Sequence, residues 1–187
     1  MEDLNIVWEN YAKSYDFFYA KSLQELHRSV GNHLSGDICD LGCGVGKLIT
    51  QLSLFNSYLG VELNPAMYEI ARKNSTSNIH FLNQDIVSFS QQNSFDSVAM
   101  VNVLYSLGNV ENVKKVLTNV YEMLRQEGKF VLTNLNPNFS GSKLEKLIET
   151  ELSVQVIDVE SENMFNLFIE SNRQLSAAFS VRHYTPF

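Results

Sequence analysis

Three acids stand at the ends of three short apolar runs: Asp40 after Asp37-Ile38-Cys39, Glu62 after Tyr58-Leu59-Gly60-Val61, and Asp85 after His80-Phe81-Leu82-Asn83-Gln84. Asp40 also opens the heptapeptide DLGCGVG, which places glycines at 42, 44 and 46. Glycine removes the Cβ that would hold a ligand off the backbone, and a helix starting at Lys47 would aim unpaired N–H groups at a carboxylate or phosphate. A carboxylate at a strand end can accept both hydroxyls of a ribose, and a side chain at the next strand end can reach the exocyclic amine of an adenine. The pattern predicts a nucleotide-type cofactor bound along one crevice.

The third glycine discriminates between cofactors. A dinucleotide fingerprint, Gly-x-Gly-x-x-Gly, needs glycine at position 47, where the chain has Lys47; the glycine comes one residue earlier. A nicotinamide or flavin is therefore disfavoured. Each acid alone has a purely structural explanation: a turn-former for Asp40, a solvated strand end for Glu62, a helix cap for Asp85. In register with the glycines, a shared crevice explains all three together.

The elements that must position these residues follow from periodicity. Ile6, Trp8, Tyr11, Tyr15, Phe18, Leu23, Leu26 and Val30 recur at helical intervals, predicting one or two amphipathic helices that end near Gly31 and Gly36. Short apolar runs then alternate with helical stretches: strand 37–41, helix 46–55, strand 57–62, helix 65–74, strands 78–83 and 95–101, helix 110–126 and strand 128–135. Pro65 after Asn64 marks a helix start, and Gly128 follows a helix end. Such alternation means parallel strands with crossover helices, a Rossmann-like, doubly wound α/β sheet. Beyond Pro137 a helix at 142–151 and strand-like runs at 153–159, 164–170 and 175–183 suggest an antiparallel C-terminal addition. At 187 residues one domain is expected, burying about two-thirds of its unfolded surface. Its parts are N-terminal lid helices over 1–35, a cofactor-binding core over 36–136, and a helix and strand addition over 137–187.

Composition narrows the partners. A net charge of -7 and a pI near 5.1 argue against nucleic acid and anionic membrane. No apolar run approaches the ~20 residues of a membrane span, and Glu2 and Asp3 do not resemble the basic start of a signal peptide, so a cytoplasmic protein is expected. Cys39, Cys43 and four scattered histidines fit no metal-ligand spacing.

DLGCGVG, then GVELN, then NQD, then FDSVAMVNVLYSL and VLTNVYEMLRQEGKFVLTN occur in the order and spacing of class I S-adenosylmethionine-dependent methyltransferases, which the chain resembles from Trp8 onward. The stretch Trp8 to Asp16 is similar to the lid helix of small-molecule members. The resemblance implies S-adenosylmethionine as cofactor. Asp40 with the backbone of Gly42 and Gly44 would hold the methionine part, and Glu62 the ribose hydroxyls. Leu63 would pack on adenine, and Asp85 with the Ile86 N–H would read its edge. Asn102 would sit near the sulfonium and the acceptor. Tyr11 and Tyr15 could close over the cofactor, where an aromatic face stabilises a sulfonium; core packing of an amphipathic helix explains them equally well.

A sulfonium methyl is already electrophilic, so the protein's task is to align the acceptor and exclude water. An acceptor that must lose a proton needs a base, for which His183, Tyr105 and Asp16 are the candidates. The run after the fourth strand, Val101-Asn102-Val103-Leu104, lacks the Asp-Pro-Pro-Tyr or Asn-Pro-Pro-Tyr of enzymes that methylate DNA bases, which favours a small-molecule acceptor. Family members continue after a segment like Arg182 to Pro186 into a helix and strand hairpin; here Phe187 follows. Either the gene is shortened or the 153–183 strands replace the missing ones, and an open edge on the fifth strand suggests a homodimer through this region. The alternatives to a methyltransferase are a non-catalytic cofactor-binding module or partner subunit, and an enzyme using another adenosine-type ligand.

Overall fold

A computed structural model describes residues 4–134, Lys146 and 159–178. Five strands form one sheet: β1 (Asp37–Leu41), β2 (Ser57–Glu62), β3 (Ile79–Asn83), β4 (Phe95–Val101) and β5 (Leu124–Thr133), in the spatial order β3-β2-β1-β4-β5. Every neighbouring pair is parallel, the arrangement that alternating strands and crossovers predict. Strand order reverses between β1 and β4, so the crevice for a ligand opens at the carboxyl ends of these strands.

Alternation along the strands sorts the core into two layers. Cys39, Leu41, Val61, Val98 and Met100 face one side, against Val116, Val120 and Met123 of helix α4 (Val110–Met123). Ile38, Tyr58, Phe81 and Ala99 face the other, against Val30 of helix α2 (Gln24–Gly31), Leu34, Leu48 and Ala71 of helix α3 (Pro65–Ala71). Asp40 shares the face of Ile38, two residues away, because side chains repeat with period two. Local signals mark the helix starts: Asn64 Oδ1 accepts the N–H groups of Ala66 and Met67 ahead of α3, and Asn109 Oδ1 accepts that of Asn112 ahead of α4.

The expected helix over 46–55 is instead a single 3-10 turn, Leu48–Gln51. The Thr50 hydroxyl donates to the Lys47 carbonyl at 2.8 Å, competing for the acceptor that an α-helix would offer to Gln51, and Leu52 is already extended. Helix α4 ends at Met123 rather than 126, and β5 starts at Leu124. Leu124 pairs with Phe95 and Lys129 with Ser97, so the residues between bulge out of the ladder, with Glu127 at φ +64°.

Helix α1 (Leu4–Ser22) precedes α2, and helix α5 (Val159–Ala178) follows the sheet. The antiparallel addition expected at 164–170, and at 175–183 as far as 178, is therefore corrected: this stretch is helical. Burial recurs at Met164, Phe165, Phe168 and Ile169, one face of a helix, and α5 packs on α1 through Phe168 stacked on Tyr11 at 5.8 Å. The run at 153–158, residues 179–183 and the helix at 142–151, apart from helical Lys146, lie outside the described residues.

Candidate functional site

The turn after β1 is built from three glycines in the left-handed region, with φ of +73° at Gly42, +56° at Gly44 and +76° at Gly46. L-residues pay for this conformation, and glycine does not. The three positions nonetheless differ. A Cβ on Gly42 would lie 2.6 Å from Val103 Cγ2, and one on Gly46 would lie 3.0 Å from Phe81 Cε1 and 3.2 Å from Ala71 Cβ. These two glycines admit protein. A Cβ on Gly44 would meet nothing closer than Met67 Sδ at 4.0 Å, so this is the position where bare backbone faces open space.

The expected cradle of free N–H groups is not present. The N–H groups of Gly42 and Cys43 donate to the Val61 carbonyl at 2.8 and 3.1 Å, that of Gly46 donates to Cys43 O, and that of Gly44 donates to Glu62 Oε2 at 2.9 Å. The segment that follows is a 3-10 turn, so it offers no α-helix N-terminus to the turn. The turn offers shape and neighbouring carboxylates rather than an anion site.

Asp40 and Glu62 come from adjacent parallel strands and are 2% and 9% exposed. The Tyr58 hydroxyl, 1% exposed, donates to Asp40 Oδ2 at 2.6 Å. Asp40 Oδ1 has no hydrogen-bond partner among the described residues. Burial pushes the Asp40 carboxyl up to about 7; the Tyr58 bond opposes the rise and the nearby Glu62 charge adds to it. Burial raises Glu62 as well, against hydrogen bonds from the Asn64 and Gly44 N–H groups. Two desolvated carboxylates side by side make a site that favours a cation or a cluster of donors.

The other expected site residues surround this pair unequally. Leu63, next to Glu62, is 61% exposed, a large apolar side chain left beside the crevice. Asn83 Nδ2 donates to the carbonyls of Glu62 and Leu63, fixing the turn that presents it. Asp85 is exposed two residues beyond β3, and its Oδ1 accepts the Val87 N–H at 2.9 Å, a local turn bond and not the helix cap that was the structural alternative, since no helix follows before β4. Ile86 is buried in the core behind it. Asn102 follows β4 at φ +57°, held by its N–H to Thr133 O at 3.0 Å; its side-chain amide has no hydrogen-bond partner among the described residues.

Tyr11 and Tyr15 lie on α1 with ring centroids 5.7 Å apart, packed with Trp8 against Ala12, Val45 and Met67. Val45 belongs to the glycine-rich turn and Met67 to α3, so α1 rests directly on the turn. Tyr105 is half-buried in a 3-10 turn, Leu104–Ser106, just after β4. Asp16 lies on α1, with its side chain outside the described part; His183 lies outside the described residues altogether.

Sequence reasoning missed Tyr58, read there as a strand residue, and Gly60, whose missing Cβ leaves room for Cys43 Sγ and Phe81. A tyrosine in a strand buried on both faces was the available signal, because a buried phenol requires a partner. Among the described residues no group of His, Cys, Asp or Glu is arranged to hold a metal ion.

A five-stranded parallel sheet of order β3-β2-β1-β4-β5, with a glycine-rich turn after β1 and an acid after β2, is a Rossmann-like cofactor-binding architecture. Residues 33–179 match the family described as Methyltransferase domain, and the chain belongs to that family. It is 26% identical to Nodulation protein S of Azorhizobium caulinodans over 104 residues, which are 54% of this chain and 50% of that protein. Among solved structures it is similar to a DhpI-SAH complex, with a TM-score of 0.57 at 20% identity over 69% of this chain and 66% of that one. It is also similar to the N-methyltransferase NodS of Bradyrhizobium japonicum WM9 in complex with S-adenosyl-l-homocysteine, with a TM-score of 0.53 at 21% identity over 58% of this chain and 60% of that one. The chain spans about half the length of the curated relatives it matches. No described helix is long and apolar enough to cross a membrane.

Proposed function

We propose that the protein is an S-adenosylmethionine-dependent methyltransferase acting on a small-molecule acceptor. The pair of buried carboxylates at the ends of β1 and β2, with open-faced Gly44 bonded to Glu62, carries this reading. Family membership supports the activity, and the solved relatives bound to S-adenosyl-l-homocysteine support the cofactor.

The residues present fit such a cofactor. Asp40 and the backbone of Gly42 and Gly44, through carbonyl oxygens since the N–H groups are taken, hold the amino-acid half, Glu62 accepts the ribose hydroxyls with lone pairs left over from its two backbone bonds, and exposed Leu63 covers one adenine face. Asp85 and the Ile86 N–H read the adenine edge. The bound cofactor supplies an electrophilic methyl group. Asn102, with its unpaired amide, orients the acceptor, while Tyr11 and Tyr15 on α1 exclude water above the turn. A proton leaving the acceptor goes to Tyr105, Asp16 or His183, whichever is nearest the acceptor atom. The acidic surface favours a small metabolite over nucleic acid. Strand β5 pairs only with β4 among the described residues, which supports a homodimer through the C-terminal region.

Two measurements test this reading. Calorimetry should show binding of S-adenosylmethionine and S-adenosylhomocysteine and none of NAD. Incubation with methyl-labelled cofactor and a fractionated metabolite extract should then label a small molecule. Tight binding with no labelled product in any fraction would favour the second reading, a non-catalytic binding module or partner subunit.

A further inference from the structure

Tyr58 is a polar residue at a place where packing alone asks for none. Its ring lies in the core beside Ile38, Ala71 and Phe81, with the Phe81 ring 5.7 Å away in an edge contact. A phenylalanine would fill the same volume. The hydroxyl instead donates to Asp40 Oδ2 at 2.6 Å, within the range of an ordinary hydrogen bond between oxygens. That bond leaves Asp40 Oδ1 as the free oxygen. Among the described residues the one fully sealed side-chain nitrogen or oxygen lacking a partner is Thr133 Oγ1. Asp40 Oδ1, which also lacks a partner, is therefore not fully sealed.

We infer that Tyr58 is a positioning residue: it pins one oxygen of Asp40 so that the other receives a cationic group of the ligand, and arrival of that cation expels a proton from Asp40 to solvent. This inference rests on the cofactor reading above, in which the cation is the ammonium of the amino-acid half. The only bond broken is the O–H of the Asp40 carboxyl, and the released proton passes to the buffer. The titratable groups that act on Asp40 are Tyr58 and Glu62 from β2, with Cys39 beside it on β1 and Cys43 in the turn; β4 presents Ala99 at that register. None of them is a cation. The free site holds a proton near neutrality because burial has raised the carboxyl to about 7, and among the described residues no cation acts on it, so a cationic ligand would bring the compensating charge.

Calorimetric titration from pH 5.5 to 8.5, in buffers of different ionisation enthalpy, reads both affinity and proton release. Two probes separate the parts of the ligand: S-adenosylhomocysteine carries the ammonium, and 5′-methylthioadenosine carries the adenosine without it. For the wild type, S-adenosylhomocysteine affinity should fall about tenfold per pH unit below 7 with proton release on binding. The affinity for 5′-methylthioadenosine should stay flat. Tyr58→Phe removes the bond that opposes the carboxyl's rise, so its inflection should move to higher pH for S-adenosylhomocysteine alone. Asp40→Asn should abolish the pH dependence and weaken S-adenosylhomocysteine. If Tyr58→Phe instead weakens both probes equally with an unmoved inflection, the tyrosine is merely structural and the inference is overturned. A flat wild-type profile also overturns it, even where Tyr58→Phe does not fold. Failure of the wild type to bind either probe overturns the cofactor reading and this inference with it.

Discussion

Glu62 Oε2 accepts the Gly44 N–H at 2.9 Å, tying the glycine-rich turn after β1 to the end of β2. The other oxygen, Oε1, accepts the Asn64 N–H at 2.8 Å, so one carboxylate braces both turns that frame the crevice. The same side chain thus shapes the site and is available to bind within it.

Replacement of Glu62 should accordingly affect fold and ligand together. Glu62→Ala leaves two backbone donors without their charged acceptor and should lower stability by about 2 kcal/mol, measured by urea denaturation. Glu62→Gln retains one acceptor oxygen and should cost about half as much. Both should weaken S-adenosylhomocysteine at least tenfold, by about 1.4 kcal/mol or more. Equal stability losses for the two variants would show that the braces do not depend on the carboxylate.

The glycines should separate by what lies in front of them. Gly42→Ala drives a methyl into Val103 and should destabilise strongly, with partial recovery in a Gly42→Ala, Val103→Ala double variant. Gly44→Ala meets open space and should cost only the left-handed backbone strain, about 1 kcal/mol. It should still bind cofactor poorly, because the methyl occupies the open face. Melting temperatures beside binding isotherms distinguish the two losses.

Asp40 should make the protein less stable as pH rises. Its folded carboxyl is raised to about 7, above the ordinary carboxylate value. The folded state therefore holds a proton that the unfolded state has released between about pH 4 and 7, and stability declines across that window. Each unit of the raised value is equivalent to about 1.4 kcal/mol. Asp40→Asn should flatten this decline and raise the melting temperature at pH 8 relative to pH 5. A wild type equally stable at both values, with no change in the variant, would contradict the buried, raised carboxyl.

The opposite end of the sheet should respond in the opposite sense. Arg125 Nη1 contacts Asp37 Oδ2 at 2.8 Å and Asp96 Oδ2 at 2.9 Å, bridging the amino ends of β1 and β4. Hydrogen bonds from Ser57 and Arg125 hold Asp37 below the usual carboxylate range, and those from the Asp37 N–H and Arg125 do the same for Asp96. Their contribution is present above the unfolded value near 4 and is lost as pH falls through the folded ones. Arg125→Met should move acid unfolding to higher pH, and high salt should have the same direction of effect because these groups are partly exposed. Acid titrations followed by circular dichroism check both.

Local pattern was informative where local physics decides. The three central strands were legible as apolar runs because both of their faces are covered, and the caps at Asn64 and Asn109 belong to short-range hydrogen bonding. The helix expected over 46–55 failed because Thr50 takes the Lys47 carbonyl, a competition that periodicity does not register. The strands expected at 164–170 and beyond failed for a related reason. Short apolar runs suit either element, and contact with α1, through Phe168 on Tyr11, made this one helical. Arg125 could not be read as a bridge, since Asp37 lies 88 residues earlier.

By itself the sequence determined the alternating α/β order, the glycine-rich turn of DLGCGVG, and the acids that end β1 and β2, since each follows from spacing within a few residues. Tertiary structure alone decided that Gly44 faces open space while Gly42 and Gly46 admit Val103 and Phe81, that the N–H groups of Gly42, Cys43, Gly44 and Gly46 are already taken, and that Tyr58 holds Asp40. The physical reason is register: which side chains meet across a parallel sheet depends on the long-range pairing of strands, and local spacing carries no record of it.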